Sequence, residues 1–167
     1  LIFLKQNYSV IPLSEALEGI INHDNFTKPP AVITFDDGYI DNYEYAFPLL
    51  KKHNLHATIF VVTGFINKEI DLIDSPYWGP LSWEHIQAMD SSTNIEIGAH
   101  TNSHRILSGL DDNEAYAEIE KSKLVLEEKL NRDINLFAYP NGRGEDISLA
   151  SVKAVKKLGF KIAVSTF

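Results

Sequence analysis

Five times along this chain a short apolar run, rich in β-branched and aromatic residues, gives way to a segment with helical character. The runs are Ala31–Phe35, Ala57–Thr63, Ile95–Gly98, Leu136–Tyr139 and Lys161–Val164. Each is nearly continuous in hydrophobicity, which predicts parallel strands covered on both faces. Helices are predicted between them. Ser14–Asn22 follows Pro12, and Tyr43–His53 carries Pro48 in its first turn, where the missing N–H costs nothing. Ser82 can cap Trp83–Met89, and acidic residues open Asp111–Leu130, with Ala115, Ile119, Leu126 and Leu130 on one face. Ile147–Leu158 stops at Gly159. Such alternation implies an α/β fold with parallel strands. Five strands do not complete an eight-stranded barrel, so the expectation is one domain over residues 1–167, built as a distorted or incomplete (β/α) barrel.

Composition narrows the chemistry. A formal net charge of -8 disfavours nucleic acid and anionic membranes, both of which need basic patches. The chain has no cysteine, so disulfides and thiolate metal sites are excluded, and any metal must rest on His, Asp or Glu. No stretch approaches the ~18 apolar residues of a membrane span. The opening Leu-Ile-Phe-Leu-Lys-Gln reads like the interior of a helix rather than a leader, which suggests a fragment with flanking segments missing.

In parallel α/β folds, sites gather at the carboxyl ends of strands. Three such ends are unusually polar: Thr34-Phe35-Asp36-Asp37-Gly38, Gly98-Ala99-His100-Thr101-Asn102-Ser103-His104, and Phe137-Ala138-Tyr139-Pro140-Asn141-Gly142. His100 and His104 are four apart, a spacing that on a helical turn puts both imidazoles on one face. Adjacent carboxylates after an apolar strand each need a partner. In an extended segment they point to different sides, so one can bind a metal while the other faces an attacking water. An Asp-Gly pair alone reads as an ordinary turn; beside the two histidines it reads as part of a site. Two histidines and one carboxylate suit a catalytic divalent metal with a position left for water.

The paired motifs, in this order, resemble the first two motifs of the polysaccharide deacetylases, the NodB-homology domain of carbohydrate esterase family 4. Phe137–Gly142 stands where the third belongs. The resemblance implies a distorted (β/α) barrel, a divalent metal (Zn2+, with Co2+, Ni2+ or Fe2+ as alternatives), Asp37, His100 and His104 as its ligands, and Asp36 as general base. It also implies a substrate groove lined by Tyr139, Pro140 and Asn141, with the Asn141 N–H donating to the oxyanion. Many members carry an Arg in the third motif that orients the base; Ala138 holds that place, and Arg143 is the candidate replacement. The family's late Leu-x-His motif, whose His is general acid, is not present before Phe167.

The form Phe-Ala-Tyr-Pro is similar to the subgroup acting on poly-β-1,6-N-acetylglucosamine, a biofilm exopolysaccharide, where an equivalent His precedes the Asp-Asp motif. The expected partner is therefore a polymer containing N-acetylglucosamine, and the expected location is secreted or cell envelope, from the substrate class alone. Peptidoglycan, chitin and acetylated xylan stand as alternative substrates, and a non-catalytic carbohydrate-binding module as an alternative role. Tyr77, Trp78 and Trp83 suit either sugar stacking or packing. His85 reads as a surface residue, and the charged stretch 118–129 as a solvated helix face.

Overall fold

The computed structural model describes residues 1–22, 26–71 and 79–166. Its elements follow the alternation expected from the apolar runs. They are α1 (Ile2–Asn7), β1 (Ser9–Val10), α2 (Leu13–Asn22), β2 (Pro30–Ala31) and β3 (Thr34–Phe35), then a π-helical turn Asn42–Ala46 running into α3 (Phe47–His53). Next come β4 (Ala57–Val61), α4 (Thr63–Ile66), α5 (Trp83–Asp90), β5 (Ile95–Ala99), α6 (Asp112–Leu130), β6 (Leu136–Ala138), α7 (Leu149–Lys157) and β7 (Ile162–Val164).

The strands β3 to β7 form one five-stranded sheet in sequence order, and every pairing in it is parallel. Sequential parallel neighbours joined by outer crossovers are the arrangement of a (β/α) barrel. The barrel is incomplete, as expected. The predicted run Ala31–Phe35 is broken: Pro30–Ala31 pairs with β1, whereas Thr34–Phe35 pairs with β4. One length of chain thus changes partner as the wall curves.

Side chains alternate between two cores, as the pleat requires. Ile59, Val61, Ile97 and Phe137 face outward into the main core beneath the helices, with Leu50, Ile86, Met89 and Ile119. Phe60, Leu136 and Ala138 face inward with Leu13, beside Val32, Ile162 and Val164. Strand β4 is buried along its whole length. At the amino ends of the strands, Glu96 ties down the start of α2. Its carboxylate accepts from the Leu13 N–H at 2.8 Å, the Ser14 N–H at 3.4 Å and the Thr58 hydroxyl at 3.0 Å, and also from the Ser14 hydroxyl. That is a helix cap supplied from another strand.

Three sequence expectations need correction. His85 is half-buried rather than a surface residue: its Nδ1 accepts from the Ser82 N–H at 3.2 Å, the Ser82 hydroxyl accepts from the His85 N–H at 3.3 Å, and its ring stacks on Tyr43 at 4.4 Å. A capping box has absorbed it. Helix α7 starts at Leu149, not Ile147, because Ser148 and Ser151 cap each other there. The stretch 118–129 is not merely a solvated face. Lys123 lies 4.6 Å over the Phe160 ring and bonds the Ile134 carbonyl, Glu127 accepts from the Ile134 N–H at 3.0 Å, and Glu118 reaches the loop of the two histidines. Among the described residues, no helix is long and apolar enough to cross a membrane.

Candidate metal centre

The carboxyl ends of β3, β5 and β6 meet at one rim of the half-barrel, and each delivers part of a site. After β3, the chain reverses sharply at Asp37, whose φ is +74°, while the Gly38 N–H donates back to the Asp36 carbonyl at 2.9 Å. This is a γ-turn with positive φ, a strained form. It corrects the expectation of an extended Asp-Asp pair: the turn, not strand alternation, sends the two carboxylates apart. After β5, residues 100–104 form no helical turn either. Thr101 and His104 both have positive φ, at +64° and +58°, and the Thr101 hydroxyl accepts from the His104 N–H at 3.0 Å. The two imidazoles still meet, with ring centroids 4.9 Å apart.

Asp37, His100 and His104 present ligand atoms within 4.8 Å of one another. Asp37 Oδ1 lies 3.6 Å from His100 Nε2 and 3.3 Å from His104 Nε2. His100 is buried, and its Nδ1 lies 2.8 Å from the Ala138 carbonyl oxygen. A carbonyl only accepts, so Nδ1 carries the proton and Nε2 turns a lone pair toward Asp37. Burial, with the neighbouring His104 adding to it, pushes the His100 imidazole down to about 4, against the opposing pull of the Ala138 carbonyl and Asp37. His100 is therefore neutral at pH 7, the state a metal ligand needs. Among the described residues, Asp37 Oδ1 is buried without a hydrogen-bond partner. An orphaned carboxylate oxygen facing two imidazole nitrogens fits a divalent cation held by two histidines and one carboxylate.

Asp36 stands apart from these three. It lines a cavity of about 250 Å3 with Leu13, Val32, Tyr139, Val164 and Thr166. The surrounding protein thins its hydration and raises its carboxyl pKa above the ordinary 3.8, with His104 opposing. Tyr139 and Pro140 are buried at the end of β6, and burial raises the Tyr139 pKa as well. Asn141 repeats the backbone device of Asp37. Its φ is +57°, and the Gly142 N–H donates to the Pro140 carbonyl at 2.6 Å. Thr166 secures the turn, its hydroxyl donating to the Asn141 carbonyl and its N–H to the Gly142 carbonyl, both at 2.9 Å.

The rim therefore gathers Asp36, Asp37, His100, His104, Tyr139, Pro140 and Asn141 from three separate motifs. Arg143 does not join Asp36; it is exposed and lies 3.9 Å from Glu145. Ala138 contributes its carbonyl to His100 instead. Trp83 packs, its Nε1–H donating to Asn67 at 3.0 Å, whereas Tyr77 and Trp78 lie outside the described residues. Sequence reasoning missed the residues that hold the histidine loop: Thr63, whose hydroxyl donates to Asn102 at 3.1 Å, and Glu118. Glu118 did leave a signal, since it falls between Ala115, Ile119 and Ser122 on the buried stripe of α6.

Known proteins share both the sequence and the architecture. YxkH of Bacillus subtilis (strain 168), a protein named among the polysaccharide deacetylases, is 33% identical over 135 residues, which are 81% of this chain and 44% of that protein. The poly-β-1,6-N-acetyl-D-glucosamine N-deacetylase of Staphylococcus aureus (strain MRSA252) is 26% identical over 144 residues, 84% of this chain and 49% of the relative. The chain thus spans about half the length of these curated relatives. Among solved structures, the Streptococcus pyogenes deacetylase PplD in complex with acetate superposes with a TM-score of 0.84 at 27% identity, covering 98% of this chain and 68% of that one. With residues 23–163 matching the polysaccharide deacetylase family, most of its length, the chain belongs to that family.

Proposed function

We propose that this chain is the catalytic part of a metal-dependent de-N-acetylase acting on a polymer that contains N-acetylglucosamine. The observation that carries the reading is the orphaned Asp37 Oδ1 set between two imidazole nitrogens, with a second carboxylate, Asp36, in the adjoining cavity. Asp37, His100 and His104 are the ligands. Zinc suits this nitrogen–oxygen set best, and Co2+, Ni2+ and Fe2+ are accepted by the same donors. When bound, the cation supplies Lewis acidity at the amide carbonyl and makes water a competent nucleophile near neutral pH.

The chain's own groups do the rest. Asp36 takes a proton from the attacking water, and the desolvation that raises its pKa makes it a stronger base than an ordinary carboxylate. Asn141 N–H makes no hydrogen bond among the described residues, so it is free to donate to the developing oxyanion. Tyr139 and Pro140 form the wall against which the acetamido group lies. The Staphylococcus aureus relative supports an exopolysaccharide of β-1,6-linked N-acetylglucosamine as the polymer, and a secreted or envelope-bound setting follows from that substrate.

The test is acetate release from β-1,6-linked N-acetylglucosamine oligomers, run beside peptidoglycan, chitin and xylan fragments. Activity should vanish with a chelator, return with Zn2+ or Co2+, and fall about 100- to 10,000-fold in Asp36→Asn. Wild-type rates in that variant would overturn the mechanism. Oligosaccharide binding that ignores the chelator, with no turnover, would point instead to a binding module.

A further inference from the structure

Glu118 is a half-buried carboxylate on α6, beside the buried Ala115, Ile119 and Ser122. Its carboxylate accepts from the Ser103 N–H at 2.8 Å and from the Ser103 hydroxyl at 2.6 Å. One residue back, the Asn102 N–H donates to the Glu118 carbonyl at 3.1 Å. Both backbone donors between Thr101 and His104 are thus taken by one residue of a helix fifteen positions downstream of Ser103. The opposite side of the loop is held by α4: Asn102 accepts from the Gly64 N–H at 2.8 Å through its carbonyl and from the Thr63 hydroxyl at 3.1 Å through its side chain. A Cβ on Gly64 would sit 2.5 Å from that Asn102 carbonyl, so the approach leaves no slack.

The loop needs such a clamp. Thr101 and His104 both carry positive φ, a conformation that costs about 1–3 kcal/mol per residue unless its surroundings impose it. The loop forms neither helix nor strand over residues 100–104, so no regular backbone ladder fixes His104. His100, by contrast, is held by the Ala138 carbonyl and by burial.

We propose that Glu118 is the positioning residue for His104, holding its imidazole at the distance from Asp37 and His100 that a divalent cation requires. This rests on the metal reading given above. Glu118 touches neither the cation position nor the substrate; it acts through Ser103.

Cation affinity, measured with Co2+ alone by calorimetric titration and by the visible absorption of the bound ion, tests it. Glu118→Ala should bind Co2+ about 10- to 100-fold more weakly, the usual effect of removing an outer partner of a metal ligand. Glu118→Gln should stay within a few-fold of wild type, because its amide oxygen accepts the Ser103 N–H and the hydroxyl can reverse to accept from the amide. Ser103→Ala should weaken binding several-fold, and its combination with Glu118→Ala should add little, since both act on one contact. Affinity unchanged in Glu118→Ala overturns the positioning role, and so do fully additive effects of the two substitutions. If Glu118→Ala does not fold, Ser103→Ala with unchanged affinity overturns it equally. Wild-type protein that takes up no Co2+ overturns the metal reading itself, a separate failure.

Discussion

Two carboxylates, Asp37 and Glu96, sit at opposite ends of the same half-barrel and have opposite surroundings. Glu96, at the amino end of β5, has its oxygens occupied by the Leu13 and Ser14 N–H groups and the Thr58 and Ser14 hydroxyls. Asp37, at the carboxyl end of β3, has a buried oxygen that makes no hydrogen bond among the described residues and a strained backbone beneath it. The first arrangement stabilises a fold by itself. The second is an energetic liability in the bare protein and becomes favourable only with a positive partner. Strain follows the same division. Among the described residues, four of the seven non-glycine ones with positive φ, namely Asp37, Thr101, His104 and Asn141, lie in the three site motifs. Two others, Asn54 and Asn131, merely end helices α3 and α6.

That contrast can be broken experimentally. The largest expected effect is on cation binding in Asp37→Ala, which should lose more than the roughly 100-fold that removing an outer partner costs. The same variant without metal should melt no lower than wild type, since it sheds an unsatisfied oxygen. A clear drop in Tm for metal-free Asp37→Ala would show that the carboxylate is structural after all.

Glu96→Ala should behave in reverse. It strands the donors at the start of α2, costing about 1–3 kcal/mol, or about 2–4 °C of Tm per kcal/mol at this size. Cation affinity measured on the remaining folded protein should be unchanged.

Asp36 sharpens the comparison through pH. Its pKa is raised in the folded state, so the protonated form is favoured there. Its contribution to stability is therefore complete below the unfolded value of 3.8 and is lost as pH rises through the folded pKa. Metal-free Asp36→Asn should melt higher than wild type at pH 7, and the two should converge below pH 3.8. Parallel melting curves across that range would contradict the raised pKa. The smallest effect is expected for Asn131→Gly, where positive φ only ends a helix. Its stability should change by about 0.5 kcal/mol or less, with cation binding untouched.

Much of the fold is readable from local pattern, because burial on both faces of a parallel strand forces a continuous apolar run. Strands β4 and β5 lie within a residue or two of where those runs place them. The break between β2 and β3 was not readable, since Val32 and Ile33 look like strand; the change of pairing partner depends on β1 and β4 being elsewhere in space. Helix α6 was legible from its acidic start and its apolar stripe, yet the task of Glu118 was not, for the residue it holds is distant in sequence.

The residue types and their order were enough to establish which chemistry this rim can support: two histidines, two carboxylates and a glycine, in motifs that follow apolar runs, in a chain with no cysteine. They were enough because ligand chemistry is a property of side chains, and apolar runs mark where the strands end. How those groups converge was settled by folding alone. The expected helical turn between His100 and His104 and the expected extended Asp36-Asp37 pair were both replaced by residues of positive φ. Such conformations are unfavourable locally and are imposed by distant contacts, here Glu118, Thr63, Thr166 and the Ala138 carbonyl. No local signal in the chain announces a backbone that only its tertiary surroundings can hold.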